Sequence, residues 1–122
     1  MTLDLNEYSA ESLLEQLRQL DECSHIEAKR GGDIGSSVMQ TVCAFANEPG
    51  LGGGYLLLGV NEPDAQHNEF YISGVEQIDK VLANLQAICR DQFEQVVAID
   101  AKAVLLEGKT VIKVFVPELD PA

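Results

Sequence analysis

Residues 54–60 read Gly54-Tyr55-Leu56-Leu57-Leu58-Gly59-Val60. A near-continuous apolar run of this kind is expected of a central strand covered on both faces. What lies on either side of it sets the fold class. Upstream, residues 47–54 (Asn-Glu-Pro-Gly-Leu-Gly-Gly-Gly) form a loop by composition. Before that loop, Ser36 or Ser37 can cap a helix running to about Asn47, with Val38, Val42, Phe45 and Ala46 on its buried stripe. Residues 31–35 (Gly-Gly-Asp-Ile-Gly) break the chain. Glu22 to Arg30 reads as a strand, whose alternation puts Ile26 and Ala28 on one face and His25, Glu27 and Lys29 on the other. The first element is an amphipathic helix over about Ser9–Leu20. Ser9 is its N-cap, and Leu13, Leu17 and Leu20 share one face with Leu14 beside them.

Downstream, residues 61–69 are a polar, acidic loop, and Phe70–Val75 is a short extended piece. Glu76–Arg90 reads as a third helix, with Ile78, Leu82, Leu85 and Cys89 at helical spacing. Val96–Leu106 and Thr110–Val116 read as a terminal hairpin turning through Glu107-Gly108-Lys109, and Pro117 ends it. After the first helix the order is strand–helix–strand–helix–strand–strand. This predicts an α+β fold: a four-stranded mixed sheet with packed helices, the first two strands parallel. Residues 1–118 are expected to form one domain, and residues 119–122 the start of a linker.

The chain has 122 residues, 46% of them hydrophobic, which suits one core rather than two. Twenty acidic residues stand against eight basic ones, for a formal net charge of −12. That surplus counts against nucleic-acid binding, which draws on Lys and Arg contacts to phosphate, unless basic residues cluster locally. No stretch approaches a membrane span, and the N-terminus has neither the basic nor the apolar region of a signal peptide, so the expected compartment is the cytoplasm. Cys23, Cys43 and Cys89 are odd in number and widely spaced, which predicts buried, reduced thiols rather than a zinc site. His25 and His67 lack partners at zinc spacing. The glycines of residues 50–54 lie between a helix and a strand with no Gly-Lys-Ser/Thr following, the wrong order for a phosphate-binding P-loop.

Three segments together resemble a known family. They are residues 22–30 (Glu-Cys-Ser-His-Ile-Glu-Ala-Lys-Arg), residues 41–62 with Ala44-Phe45-Ala46-Asn47 and the Gly54–Val60 run, and residues 108–118. Their order and spacing resemble the Schlafen Alba-like domain, found in bacterial proteins labelled as DNA-binding or transcriptional regulators or as helicase-related. The loop at residues 47–54 is longer than is usual in that family. The resemblance implies an Alba-like fold, a nucleic-acid-associated module of a larger protein, and pairing into a homodimer. Alba proteins contact DNA through their terminal hairpin and sheet, which would make Lys102, Lys109 and Lys113 the nucleic-acid-binding candidates here. Asp100, Glu107 and Glu118 in the same region weigh against them.

Glu27 and Lys29 are two apart on a strand and so point the same way. A carboxylate holding a divalent ion beside a lysine is the core of many metal-dependent nucleases. The resemblance to Schlafen nucleases implies three acidic positions, matching Glu22, Glu27 and Glu62, with Mg²⁺ or Mn²⁺ between them. Asn61-Glu62 here stands where the family often has two aspartates. Glu22, Glu27, Lys29 and Glu62 are thus the catalytic and metal-ligating candidates of a nuclease reading. Glu22 precedes the first strand while Glu62 follows the second, so in a parallel pair a sharply returning loop would be needed to bring them together. The plain alternative for Glu27 and Lys29 is a solvated, locally paired strand face. Three readings follow: a nucleic-acid-binding module, a metal-dependent nuclease, and a non-catalytic protein-interaction or oligomerisation domain.

Overall fold

The computed structural model describes residues 8–21, 25–31, 36–48, 50, 52–91 and 97–119. Three helices, α1 (Ala10–Leu20), α2 (Ser36–Asn47) and α3 (Ile78–Asp91), accompany six strands: β1 (Ile26–Lys29), β2 (Gly54–Leu58), β3 (Val60–Asn61), β4 (Tyr71–Ile72), β5 (Asp100–Leu106) and β6 (Lys109–Val116). The main sheet has the order β1-β2-β6-β5. β1 and β2 are parallel, and β2–β6 and β6–β5 are antiparallel. This is the four-stranded mixed sheet the sequence predicts, with the Leu-rich run next to its centre and every residue from Gly54 to Leu58 buried.

Strand alternation divides the core in two. Tyr55 and Leu57 point to one face with Ile26, Ala28 and Val111, and Leu13, Leu14 and Leu17 of α1 cover them. Leu56 and Leu58 point to the other with Ile112, Val114 and Val116, under Val38, Val42 and Phe45 of α2 and Val81 and Leu85 of α3. A strand between two helical layers needs apolar residues at every position, which is why residues 55–58 do not alternate.

Ser9 caps α1 as expected, its hydroxyl accepting from the Ser12 amide at 3.1 Å. Leu20 departs from the predicted buried face. It stands one residue before the turn at Asp21 and is 70% exposed, so the last turn of α1 overhangs the packed layer. Ser36 and Ser37 both lie inside α2 rather than capping it. Cys43 is exposed, contrary to the buried thiol expected there, because Val42, Phe45 and Ala46 are the residues of that turn facing the sheet. Cys89 is buried, and that burial pushes its thiol pKa up. Cys23 lies outside the described residues. α3 begins at Ile78, two residues later than predicted, and β5 begins at Asp100 rather than Val96.

The run at residues 54–60 is not one strand. Gly59 has φ +100°, a conformation L-residues rarely adopt, and there the chain leaves the main sheet. Val60–Asn61 instead pairs antiparallel with Tyr71–Ile72 in a separate two-stranded sheet. The hairpin turn is shorter than predicted. Glu107 (φ 50°) and Gly108 (φ 83°) form a two-residue turn, and Lys109 already pairs with Leu106. Positive φ at both central residues is the hairpin geometry that matches strand twist. The Arg18 guanidinium meets both oxygens of the Glu107 carboxylate at 3.1 Å, raising the Arg18 pKa and lowering that of Glu107. The end of α1 is thereby tied to the hairpin tip. Among the described residues no helix is long and apolar enough to cross a membrane.

Candidate functional site

In a sheet with parallel strands, ligands gather beyond the strands' carboxyl ends, where loops diverge. β1 and β2 end together, Lys29 pairing with Leu58. Gly59 then knots the neighbourhood: its amide donates to the Lys29 carbonyl at 2.8 Å, and its own carbonyl accepts from the amides of Ser73 (2.9 Å) and Gly74 (3.0 Å). Asn61, buried in the adjoining strand, accepts from the Ser73 hydroxyl at 2.8 Å and donates to the Tyr71 hydroxyl at 3.2 Å. These bonds fix the walls of a cleft of about 760 Å³ lined by Arg30, Asn61, Ser73, Gly74, Lys80 and Asn84 among others. A second pocket of about 280 Å³ shares Arg30 and Asn61 with it and adds Lys29, Glu62 and Asp64.

The eight cations are in different states. Arg18 and Arg90 are in ion pairs with Glu107 and Asp91. Lys113 is buried, 7% exposed, and its ammonium donates to the carbonyl of Tyr8, just before α1, at 2.8 Å. Burial, with Lys102 directly across the β5–β6 ladder, lowers its pKa. Lys109 is exposed but donates to the Ile72 carbonyl at 3.2 Å, and Lys102 is exposed on the edge strand β5. Of the three hairpin lysines, Lys102 and Lys113 are cross-strand neighbours and Lys109 stands beside the turn, with only Lys102 and Lys109 exposed. Lys29 lies 3.9 Å from Glu27. Arg30 and Lys80 are exposed and, among the described residues, in no ion pair, and both line the larger cleft.

Glu27 and Lys29 do point the same way, toward α2. One Glu27 oxygen accepts from the Thr41 hydroxyl while the other faces the Lys29 ammonium, and together they line a third pocket of about 370 Å³. Glu62 shares the smaller cleft pocket with Lys29, so the two carboxylates lie in separate pockets that both include the lysine. Glu22 lies outside the described residues. Among those that are described, no group of three His, Cys, Asp or Glu side chains is placed to hold a metal ion. Glu27 and Glu62 line separate pockets, so the two do not by themselves make a fit for Mg²⁺ or Mn²⁺.

Beside the smaller pocket lies a cluster that the sequence did not signal. His67 stacks on Tyr71, ring centroids 3.6 Å apart and planes 11° from parallel. Asp64 holds both rings, accepting from the Tyr71 hydroxyl at 2.8 Å and bonding His67 Nδ1 at 3.0 Å. A carboxylate only accepts, so Nδ1 carries the proton. The His67 contact, then the Gln66 amide, then Tyr71 keep the Asp64 pKa well below the usual carboxylate range.

The Schlafen, AlbA_2 family model matches residues 22–121. The chain belongs to this Schlafen AlbA_2 family. Its fold is similar to the solution NMR structure of the N-terminal domain of a Nitrosomonas europaea protein named as ATP-dependent DNA helicase RecG-related. The two are 43% identical with a TM-score of 0.82, over 93% of this chain and 75% of that one. No curated protein matches this chain. Of the cleft residues, Lys29 and Glu62 were found by reading the sequence. Arg30 could have been, since it extends Lys29 into a basic pair just before a Gly-Gly break. Lys80 could not, because nothing local distinguishes it from any exposed helix lysine.

Proposed function

We propose that this AlbA_2 domain is a nucleic-acid-contacting module of a helicase-related protein, and that the contact lies in the cleft beyond β1 and β2. The observation that carries this is the placing of Arg30 and Lys80, two exposed cations without ion pairs among the described residues, against a single carboxylate, Glu76, around one cleft of an otherwise acidic chain. Lys29 adds a third cation through the adjoining pocket. Their number bounds the strength of the contact. Three phosphate contacts give a salt slope, d log K/d log[salt], of about −2 to −3, where six to ten contacts would bind far more strongly at low salt. The net charge of −12 opposes approach, and this long-range term is screened beyond about 10 Å at 0.1 M salt. Binding should therefore be weak and local rather than driven by the whole surface.

The test is fluorescence anisotropy with labelled DNA and RNA across a salt series, for the wild type and for the double variant Arg30→Ala, Lys80→Ala. The expected result is a slope near −2 to −3 for the wild type, reduced by about two contacts in the variant. Saturable binding that the double variant leaves unchanged, or no binding at about 50 mM salt, would overturn the reading.

A further inference from the structure

We infer that the cleft takes a single-stranded rather than a duplex nucleic acid, one base of which lies on the outer face of His67; this rests on the nucleic-acid reading above. Tyr71 covers one face of the His67 ring and the side chain is 42% exposed, so a base would lie on the face turned away from Tyr71. Asp64 bonds an edge atom of each ring, so the pair is held in place before any ligand arrives. A prepositioned ring loses little freedom when a base settles on it.

This surface is continuous with the cations. Asp64 lines the same pocket as Lys29 and Arg30, and Asn61, shared by both pockets, is bonded to the Tyr71 hydroxyl. A strand whose phosphates follow Lys80, Arg30 and Lys29 would arrive beside His67 with a base to place. Sites for single strands combine these two parts, a cationic track and an aromatic platform, and stacking requires a base free of its helix. Charge density argues the same way. A duplex carries one phosphate charge per about 1.7 Å of axis and a single strand one per about 3.4 Å. A chain of net charge −12 repels the duplex more strongly for the same three cationic contacts.

The experiment compares fluorescein-labelled single-stranded DNA, single-stranded RNA and duplex DNA of one length, by anisotropy, against four proteins: wild type, His67→Ala, His67→Phe, and Arg30→Ala with Lys80→Ala. Thermal melts check that each variant folds. Single strands should bind the wild type more tightly than duplex. His67→Ala should weaken single-strand binding roughly 5- to 150-fold, the range one base–aromatic stack carries, and leave duplex binding unchanged. His67→Phe keeps a stacking face and should restore binding to within about threefold of the wild type. The DNA and RNA arms report whether the 2′-hydroxyl matters. Duplex bound as tightly as single strand, or single-strand binding indifferent to His67→Ala, sinks the platform; if the double variant still loses affinity, the cleft reading survives it. Absence of all binding removes both.

Discussion

Replacing Gly59 by alanine tests how the sheet and the cleft are joined. Two costs can be separated. The first is conformational: φ is +100°, and holding an L-residue there costs about 1–2 kcal/mol. The second is steric. A Cβ at this position would stand 2.9 Å from Val75 Cγ2 and 3.0 Å from the Gly74 carbonyl carbon, closer than packed atoms tolerate, and overpacking of this sort costs about 1–3 kcal/mol. The sum is about 2–5 kcal/mol. For a domain of this size each kcal/mol lowers Tm by about 3–5 °C, so a fall of at least about 6 °C is expected. Gly108→Ala supplies the reference. Its φ is +83° and no atom lies within 4 Å of the added carbon, so only the conformational cost applies. Urea unfolding followed by circular dichroism measures both variants, with m expected to stay constant. If Gly59→Ala costs no more than Gly108→Ala, then residues 74 and 75 do not press on Gly59, and it is not the pivot that aims the chain from the sheet into the cleft wall.

Two further expectations concern α1 and the buried lysine. Ser9→Ala removes the hydroxyl that accepts from the Ser12 amide and should lower stability by about 1 kcal/mol, read as a shift in the urea midpoint. Lys113 has a folded pKa below its ordinary value, so between the two values the unfolded chain binds a proton that the folded chain does not. Stability should therefore rise with pH across that alkaline window, reach its full gain above the ordinary lysine pKa of about 10.4, and lose this contribution as pH falls through the folded value. Lys113→Met should abolish that rise in urea unfolding performed from neutral to alkaline pH. A slope that persists in the variant would assign the titration to another group.

The main sheet was legible because its signals are local and strong. Tyr55 to Leu58 has no polar position, which only a doubly covered strand allows, and Ile26/Ala28 against Glu27/Lys29 alternates cleanly. The departure at Gly59 was not legible. A glycine inside an apolar run reads equally well as strand, and what decides is Val75 and Gly74, brought in from the other side of a loop. Leu20 misled for a related reason: periodicity says which way a side chain points, not whether a partner extends beneath it. In the site, Glu27 and Lys29 were placed together because a strand puts positions two apart on one face. Arg30 and Lys80 are fifty residues apart, and the His67–Tyr71 stack depends on a carboxylate bridge within a loop. Neither proximity follows from a period. Lys113 looked like a surface cation because the hairpin alternation does not reveal that Tyr8, just before α1, lies over it.

The matched family segment begins at residue 22, whereas α1 ends at Leu20. Trimming the chain to that segment would remove the only described helix lying over Tyr55, Leu57 and Val111. Leu13, Leu14 and Leu17 are each at least 97% buried. At about 1.5–3 kcal/mol per leucine, their loss amounts to roughly 5–9 kcal/mol, comparable to the whole stability of about 5–15 kcal/mol typical of a domain. The trimmed chain would keep every residue that the family model matches and would be left with a greasy underside, prone to clump or to melt. For this molecule, the span that the family model recognises stops short of the core it helps to build.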